Sequence, residues 1–372
     1  MADGATRNDD PVDRLRLIRS ANIGPITYRQ LLARFGSARA ALDALPDLAA
    51  RGGGRSPRLA RRNDIEREMA QVRTAGARYL FLGERDYPAA LAQIDNAPPA
   101  LTVRGDTALL ARPMIAMVGA RNASAAACRF ARELAGALAA TGTVVVSGLA
   151  RGIDTAAHIG AIGGRDGTGG TIGVIASGID IAYPPENAEL QERIATEQLL
   201  LAEQPPGTEP LARHFPFRNR IIAGLALGTV VIEAAPRSGS LITARLAGEF
   251  GREVMAVPGS PLDPRAQGCN ALIRDGATLV QSADDVMESI GPIDPRAARS
   301  PSDAYGDEPL SPDASDVERA AIVGLLSPTP VAVDELIRQS GRAPATVQTV
   351  LLELELAGRL ERHAGGRVSL SI

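Results

Sequence analysis

Four short stretches of this chain combine arginine, glycine and serine in spacings that suit an anionic ligand. In Ser147-Gly148-Leu149-Ala150-Arg151-Gly152-Ile153-Asp154 a fixed cation, Arg151, stands between two glycines that let backbone approach a ligand closely, with the Gly148 turn expected to donate its N–H. Gly119-Ala120-Arg121 repeats the theme after another apolar run, and Ser238-Gly239-Ser240 has the composition of an N–H-rich anion seat at a helix start. In the fourth stretch, Phe217-Arg218-Asn219-Arg220 continues from His214-Phe215-Pro216. Aromatic faces for bases beside cations for phosphates are what a single nucleic-acid strand requires. Each stretch also has a plain structural reading: Phe215 and Phe217 as core residues, the arginines as partners of nearby acids. Four such turns at one sheet edge argue together for a binding site, with Arg121, Gly148, Arg151, Phe217, Arg218, Asn219, Arg220, Ser238, Gly239 and Ser240 as its expected members.

Composition narrows the chemistry. All 40 basic residues are arginine, which excludes a Walker A lysine, a Schiff-base lysine and a lysine base. Three scattered histidines and two cysteines, Cys128 and Cys269, suit neither a metal site nor a disulfide framework. The expectation is no metal and no cofactor. The net charge of -3 excludes a uniformly basic binder but leaves room for a local basic groove. Residues 1–111 carry 17 arginines against 13 acids, whereas residues 291–372 carry 8 against 12. Apolar runs such as Ile221–Ile232 are interrupted by glycine, and no charged segment followed by an apolar one opens the chain. A cytoplasmic protein without membrane contact is expected.

These stretches are positioned by an alternation of strands and helices between about Pro113 and residue 290. Strands are expected at Met114–Val118, Val144–Ser147, Thr171–Ala176, Leu199–Ala202, Thr229–Glu233 and Glu253–Val257, with helices between them, one of them around Phe217–Ala226. This is the pattern of an α/β, Rossmann-like, doubly wound parallel sheet, which binds ligands outside the carboxyl ends of its strands. The turn at Gly119 lacks the G-x-G-x-x-G spacing of a dinucleotide site. Upstream, Asn22-Ile23-Gly24-Pro25 between two short amphipathic helices reads either as a helix-hairpin-helix or as an ordinary turn in a helical bundle. The basic, glycine-rich loop of residues 51–62, which opens Arg51-Gly52-Gly53-Gly54-Arg55, could attract phosphate but reads rather as solvated. Downstream, a Pro/Ser/Asp-rich linker precedes three helices and a hairpin, a winged helix. Its third helix offers Glu353 and Glu355 and no arginine, so it suits a protein partner better than a duplex. The expected domains are 1–75, 76–290, a linker 291–315, and 316–372.

The residues Met117–Arg121, Ser147–His158, Tyr183-Pro184-Pro185-Glu186-Asn187, Phe215–Ile222, Glu233–Thr243, Val257-Pro258-Gly259 and Gly268-Cys269-Asn270 together resemble the DNA-processing protein A (DprA, or Smf) family. The resemblance implies a SAM-like helical domain before the α/β domain and a winged helix after it. It also implies a non-enzymatic protein that binds single-stranded DNA, protects incoming DNA and loads the RecA recombinase during natural transformation. It further implies a homodimer formed through about Gly268–Val280, where Leu272, Ile273 and Leu279 are expected to be surplus apolar surface. The competing reading is a nucleotide hydrolase of the lysine-decarboxylase-like group, with Asp154 or Glu233 as acid-base. Ser238-Gly239-Ser240 is only faintly like that group's glycine loop, and Ala244 stands close after it without the expected glutamate.

Overall fold

The computed structural model of the chain describes residues 9–55, 57–163, 169–291, 313–363 and 365–371. Most of the expected linker lies outside them. The chain divides into two compact units, one made of Glu68–Pro301 and the other of Met1–Arg67 together with Ser302–Ile372.

The first unit is built on a nine-stranded sheet: β1 (Arg78–Phe81), β2 (Ala100–Gly105), β3 (Met114–Gly119), β4 (Val144–Ser147), β5 (Gly170–Gly178), β6 (Leu199–Gln204), β7 (Gly228–Ile232), β8 (Glu253–Ala256) and β9 (Thr278–Leu279). The order across the sheet is β1-β2-β6-β5-β4-β3-β7-β8-β9. From β6 to β9 all neighbours run parallel, whereas β1 and β2 join antiparallel at one end through the pairing of β2 with β6. Every residue of β4, β5 and β7 is buried, as parallel strands covered by helices on both faces require. Two apolar clusters form the layers on either side. One includes Ala116, Val118, Val144 and Ile221; the other includes Ile115, Met117, Leu134 and Ile153. Alternation along β3 sends its residues to opposite layers. Chain order runs outward from β3 to β6, then returns to β7 on the other side of β3. That reversal is a topological switch point, where loops diverge and leave a crevice.

The end of this domain bears on the expected apolar surplus at Leu272, Ile273 and Leu279. Helix Gln267–Arg274 lays Leu272 and Ile273 against the core, and Val280 is fully buried. Of the expected apolar surplus, Leu279 alone stands exposed, at 43%. Leu272 and Ile273 are half-buried, packed against the core while part of each side chain still meets solvent.

In the second unit, helices Pro11–Arg19, Pro25–Phe35 and Ala38–Arg51 form a small bundle around Leu17, Tyr28, Leu31, Leu45 and Leu48. Helices Asp316–Gly324, Val333–Ser340 and Pro344–Leu356 accompany a three-stranded sheet, whose first strand lies between the first two helices, one strand more than the hairpin read from sequence. It consists of β10 (Val331–Ala332), β11 (Leu360–His363) and β12 (Arg367–Leu370), in the order β10-β12-β11. This is a winged helix.

Candidate nucleic-acid interface

At the switch point, the carboxyl ends of β3, β4 and β7 open onto a groove of about 830 Å³. Its walls include Gly119–Asn122 after β3, Ala150 and Asp154 after β4, and Arg237–Ser240 after β7. The helix His214–Leu225 closes one side with Phe215, Arg218, Asn219 and Ile222. These four recur at three- and four-residue intervals and so share one helical face. A smaller niche of about 40 Å³ adjoins the groove, between Arg121, Gly148, Arg151, Tyr183, Phe215 and Arg218.

The niche is organised around a buried carboxyl, Asp154, and a buried guanidinium, Arg218. Asp154, in the first turn of helix Ile153–Ile162, accepts hydrogen bonds through Oδ2 from the backbone N–H groups of Gly148 (3.1 Å) and Ala150 (3.3 Å). Its carboxyl is pushed above the usual range by burial, against the pull of Arg218 and of those two N–H groups. The Gly148 N–H is therefore spent inside the protein, which corrects the expectation that it would be offered to a ligand. Gly148 serves instead by having no side chain: a Cβ there would lie 1.3 Å from Arg218 Nη1. Gly152, at φ +77°, makes the left-handed turn into the helix. From the adjoining motif, Asn187 Nδ2 donates to the Leu149 carbonyl (2.8 Å) and to Thr155 Oγ1 (2.9 Å), pinning the same loop.

Arg218 itself is 6% exposed, and its Nη1 donates to the Val174 carbonyl at 3.1 Å. Burial lowers it to about 10, with Asp154 opposing the shift, so it remains a cation at neutral pH. Its Nε has no hydrogen-bond partner among the described residues. Behind it, His158 is held neutral, pushed down to about 3 by burial and by Arg218. Thr171 Oγ1 donates its one hydrogen to the Val145 carbonyl (2.7 Å), so His158 Nδ1–H is the donor in the 2.7 Å contact between them.

Phe215 lies between two guanidinium groups, with Arg121 5.3 Å and Arg218 6.0 Å from its ring centre and the Tyr183 ring 5.8 Å away. Phe217, the aromatic expected to stack a base, is 55% exposed and lies two residues further on. Two residues turn a helix by about 200°, so Phe215 and Phe217 point almost oppositely. Sequence reading placed the helix start near Phe217. The structure begins it at His214, and this brings Phe215 into the site instead.

The same rotation separates Arg218 from Arg220. Arg220 is 3% exposed and ion-paired with Glu203 near the end of β6, so the expectation that it holds phosphate is corrected. Arg121 and Arg151 are exposed, the latter 3.6 Å from Glu186. Ser238 caps helix Gly239–Glu249 by accepting from the Ser240 N–H (3.3 Å), and Asn219 Nδ2 reaches the Gly239 carbonyl at 3.4 Å. The groove also takes in Arg237 and Arg265, which lie outside the expected set. The hydrolase reading fits this geometry poorly. Asp154 is committed to two backbone N–H groups, and Glu233 receives both Ser124 N–H (2.8 Å) and Ser124 O–H (2.6 Å) at the start of helix Ala125–Ala140.

A sequence family described as DNA recombination-mediator protein A matches residues 78–291, more than half of the chain. The chain belongs to this family, DprA/Smf. A DprA-like N-terminal HHH domain matches residues 8–70 and a DprA winged helix domain residues 306–366. Among relatives, the DNA processing protein DprA of Streptococcus pneumoniae is 48% identical over 201 residues, covering 54% of this chain and 70% of that protein. The putative DNA processing protein DprA of Mycobacterium tuberculosis is 37% identical, covering 95% of this chain and 86% of that one. The X-ray structure of the Streptococcus pneumoniae DprA superimposes with a TM-score of 0.57 at 42% identity, over 61% of this chain and 77% of that one. A Helicobacter pylori DNA processing protein A, described for its single-stranded DNA binding mode, superimposes with a TM-score of 0.51 at 29% identity over 57% and 95%. The DprA core thus coincides with the nine-stranded sheet and the groove at its switch point. Among the described residues no helix is long and apolar enough to cross a membrane.

Proposed function

We propose that the groove binds single-stranded DNA and that the chain acts as a recombination mediator that loads RecA and protects incoming DNA, without catalysing a reaction. The observation that carries the reading is Phe215 between Arg121 and Arg218, at the mouth of a niche backed by a buried cation. Aromatic faces accept any base and guanidinium groups accept any phosphate, so sequence selectivity is low. A rigid duplex hides its base faces, and the strand that uses this site must present them. Arg121, Arg151, Arg218 and Arg237 are the phosphate cations in this reading; Asn219 and Ser238–Ser240 line the path, and Phe217 is an outlying stacking surface. Support for the mediator role comes from the family and from the relative described as binding single-stranded DNA. The homodimer belongs to the same proposal, with Leu279 at its centre and Leu272 and Ile273 beside it.

The test is competition. A labelled single strand bound to the protein is challenged with unlabelled single strand or duplex, and RecA filament growth is followed on strands coated with a single-strand-binding protein. Single strand is expected to displace the probe far ahead of duplex, and the protein to shorten the lag of filament growth. Equal displacement by duplex, or an unchanged lag, contradicts the proposal.

A further inference from the structure

The loop Arg51-Gly52-Gly53-Gly54-Arg55 contains three glycines, and the loop's own conformation explains one of them. Gly53 has φ +73°, a left-handed turn that favours glycine. Gly52, which caps helix Ala38–Arg51 at φ -70° and ψ 0°, sits in ordinary right-handed backbone, and Gly54 is not left-handed either. What excludes a side chain at these two positions is the winged helix. A Cβ on Gly52 would lie 2.1 Å from the Glu353 carbonyl oxygen, and one on Gly54 would lie 2.5 Å from Ala357 Cβ.

The third helix of the winged domain carries the matching signal. Val347, Val350, Leu351 and Leu354 pack into the domain's own core, at three- and four-residue spacing. Leu352 and Leu356 point elsewhere, into the N-terminal bundle beside Leu45, Leu48 and Ala49. No residue from Val347 to Leu356 is exposed. Polar contacts frame the apolar ones: Arg359 Nη1 donates to the Gly52 carbonyl (3.0 Å), Asn22 Nδ2 to the Leu356 carbonyl (3.3 Å), and Gln30 Nε2 to Gln348 Oε1 (3.1 Å). Asp313, just before the winged domain, is paired with both Arg34 and Arg51, and the Arg51 guanidinium holds its carboxyl below the usual range.

We infer that the third helix of the winged domain is a docking helix for the N-terminal bundle of its own chain, with Gly52 and Gly54 as its seat. The element that in other winged helices enters a duplex groove is here occupied on both faces by protein. The two ends of the chain therefore move as one body, and duplex binding by this helix requires undocking first.

Two pairs of substitutions test this in the full-length protein from opposite sides of the contact. Gly52→Ala with Gly54→Ala adds two methyl groups that the loop tolerates and the docked helix does not. Leu352→Gln with Leu356→Gln alters the docking face and spares the winged domain's own core. Each pair is expected to enlarge the radius of gyration in small-angle scattering. Each should also accelerate amide exchange at least tenfold in residues 49–54 and 344–357, with helical circular dichroism retained. Wild-type scattering and exchange in both pairs would overturn the inference, and so would duplex DNA that protects residues 344–357 in the wild-type chain. Docking that weakens on dilution of the wild-type protein would assign the seat to a second copy and overturn it equally.

Discussion

Two parts of this molecule have the outward form of a nucleic-acid reader: the groove at the sheet's switch point and the third helix of the winged domain. They differ in what their charged and apolar groups do. In the groove, Arg121 and Arg151 are open to solvent, and Arg218 is a buried cation lining the niche whose Nε has no hydrogen-bond partner among the described residues. On the third helix, Glu353 is fully buried and held by Arg319 at 2.8 Å, and Leu352 and Leu356 are buried in the N-terminal bundle. A helix in the right fold is thus not a reader when its faces are already spent on protein. The groove, by contrast, leaves cations incompletely satisfied beside an aromatic ring, and on that difference the proposed single-strand site rests.

The largest expected effect comes from the smallest substitution. Gly148→Ala places a methyl where Arg218 Nη1 lies, so the guanidinium must leave the niche. Single-strand affinity, measured by fluorescence anisotropy, is expected to fall about thirty-fold, or about 2 kcal/mol. An affinity within twofold of wild type would show that the niche is not part of the path.

A comparable energy is expected in stability. His158 has an ordinary value near 6.5 when unfolded and is pushed down to about 3 in the fold. Between those values the unfolded chain binds the extra proton, so stability falls as pH drops through this window. From pH 7.5 to 5.5 the loss is about 1.4 kcal/mol, read from urea midpoints, and His158→Asn is expected to flatten it. Asp154, pushed up by burial, works in the opposite direction and offsets part of the loss at lower pH. A wild-type midpoint that does not move between these two pH values would contradict the buried neutral imidazole.

The arginines in and near the groove sharpen the comparison further. Arg121→Ala removes an exposed cation stacked on Phe215 and should cost about tenfold in single-strand affinity, about 1.4 kcal/mol. Arg220→Gln, only two residues from Arg218, should change affinity less than twofold because its partner is Glu203. At the bottom of the scale, Gln348→Ala on the winged domain should leave single-strand affinity unchanged in the same titration. A reversal of the Arg121 and Arg220 outcomes would relocate the path.

Most of the fold was legible from residue patterns. The β-branched runs, the helix start at Ser238-Gly239-Ser240 and the alternation of strand and helix all correspond to observed elements. The site was legible as a set of turns but not as a set of side-chain directions. Nothing in Phe215-Pro216-Phe217-Arg218-Asn219-Arg220 states where the helix begins, and a shift of three residues decides which aromatic and which arginine face the groove. The acid that takes Arg220, Glu203, comes from a different strand, so its pairing is a tertiary fact. The Gly148 N–H was misjudged for a similar reason: its acceptor, Asp154, sits in the helix that the loop itself introduces. Likewise, Gly52-Gly53-Gly54 reads as a solvated loop until the distant helix that covers it is in place.

The salt dependence of single-strand binding tests the central claim most directly. Four phosphate contacts, at Arg121, Arg151, Arg218 and Arg237, predict a slope of log affinity against log salt of about -3 on a single strand. Removing one cation with Arg121→Ala should bring the slope to about -2. A wild-type slope near zero, or a slope unchanged by Arg121→Ala, would contradict a groove that holds DNA through these arginines.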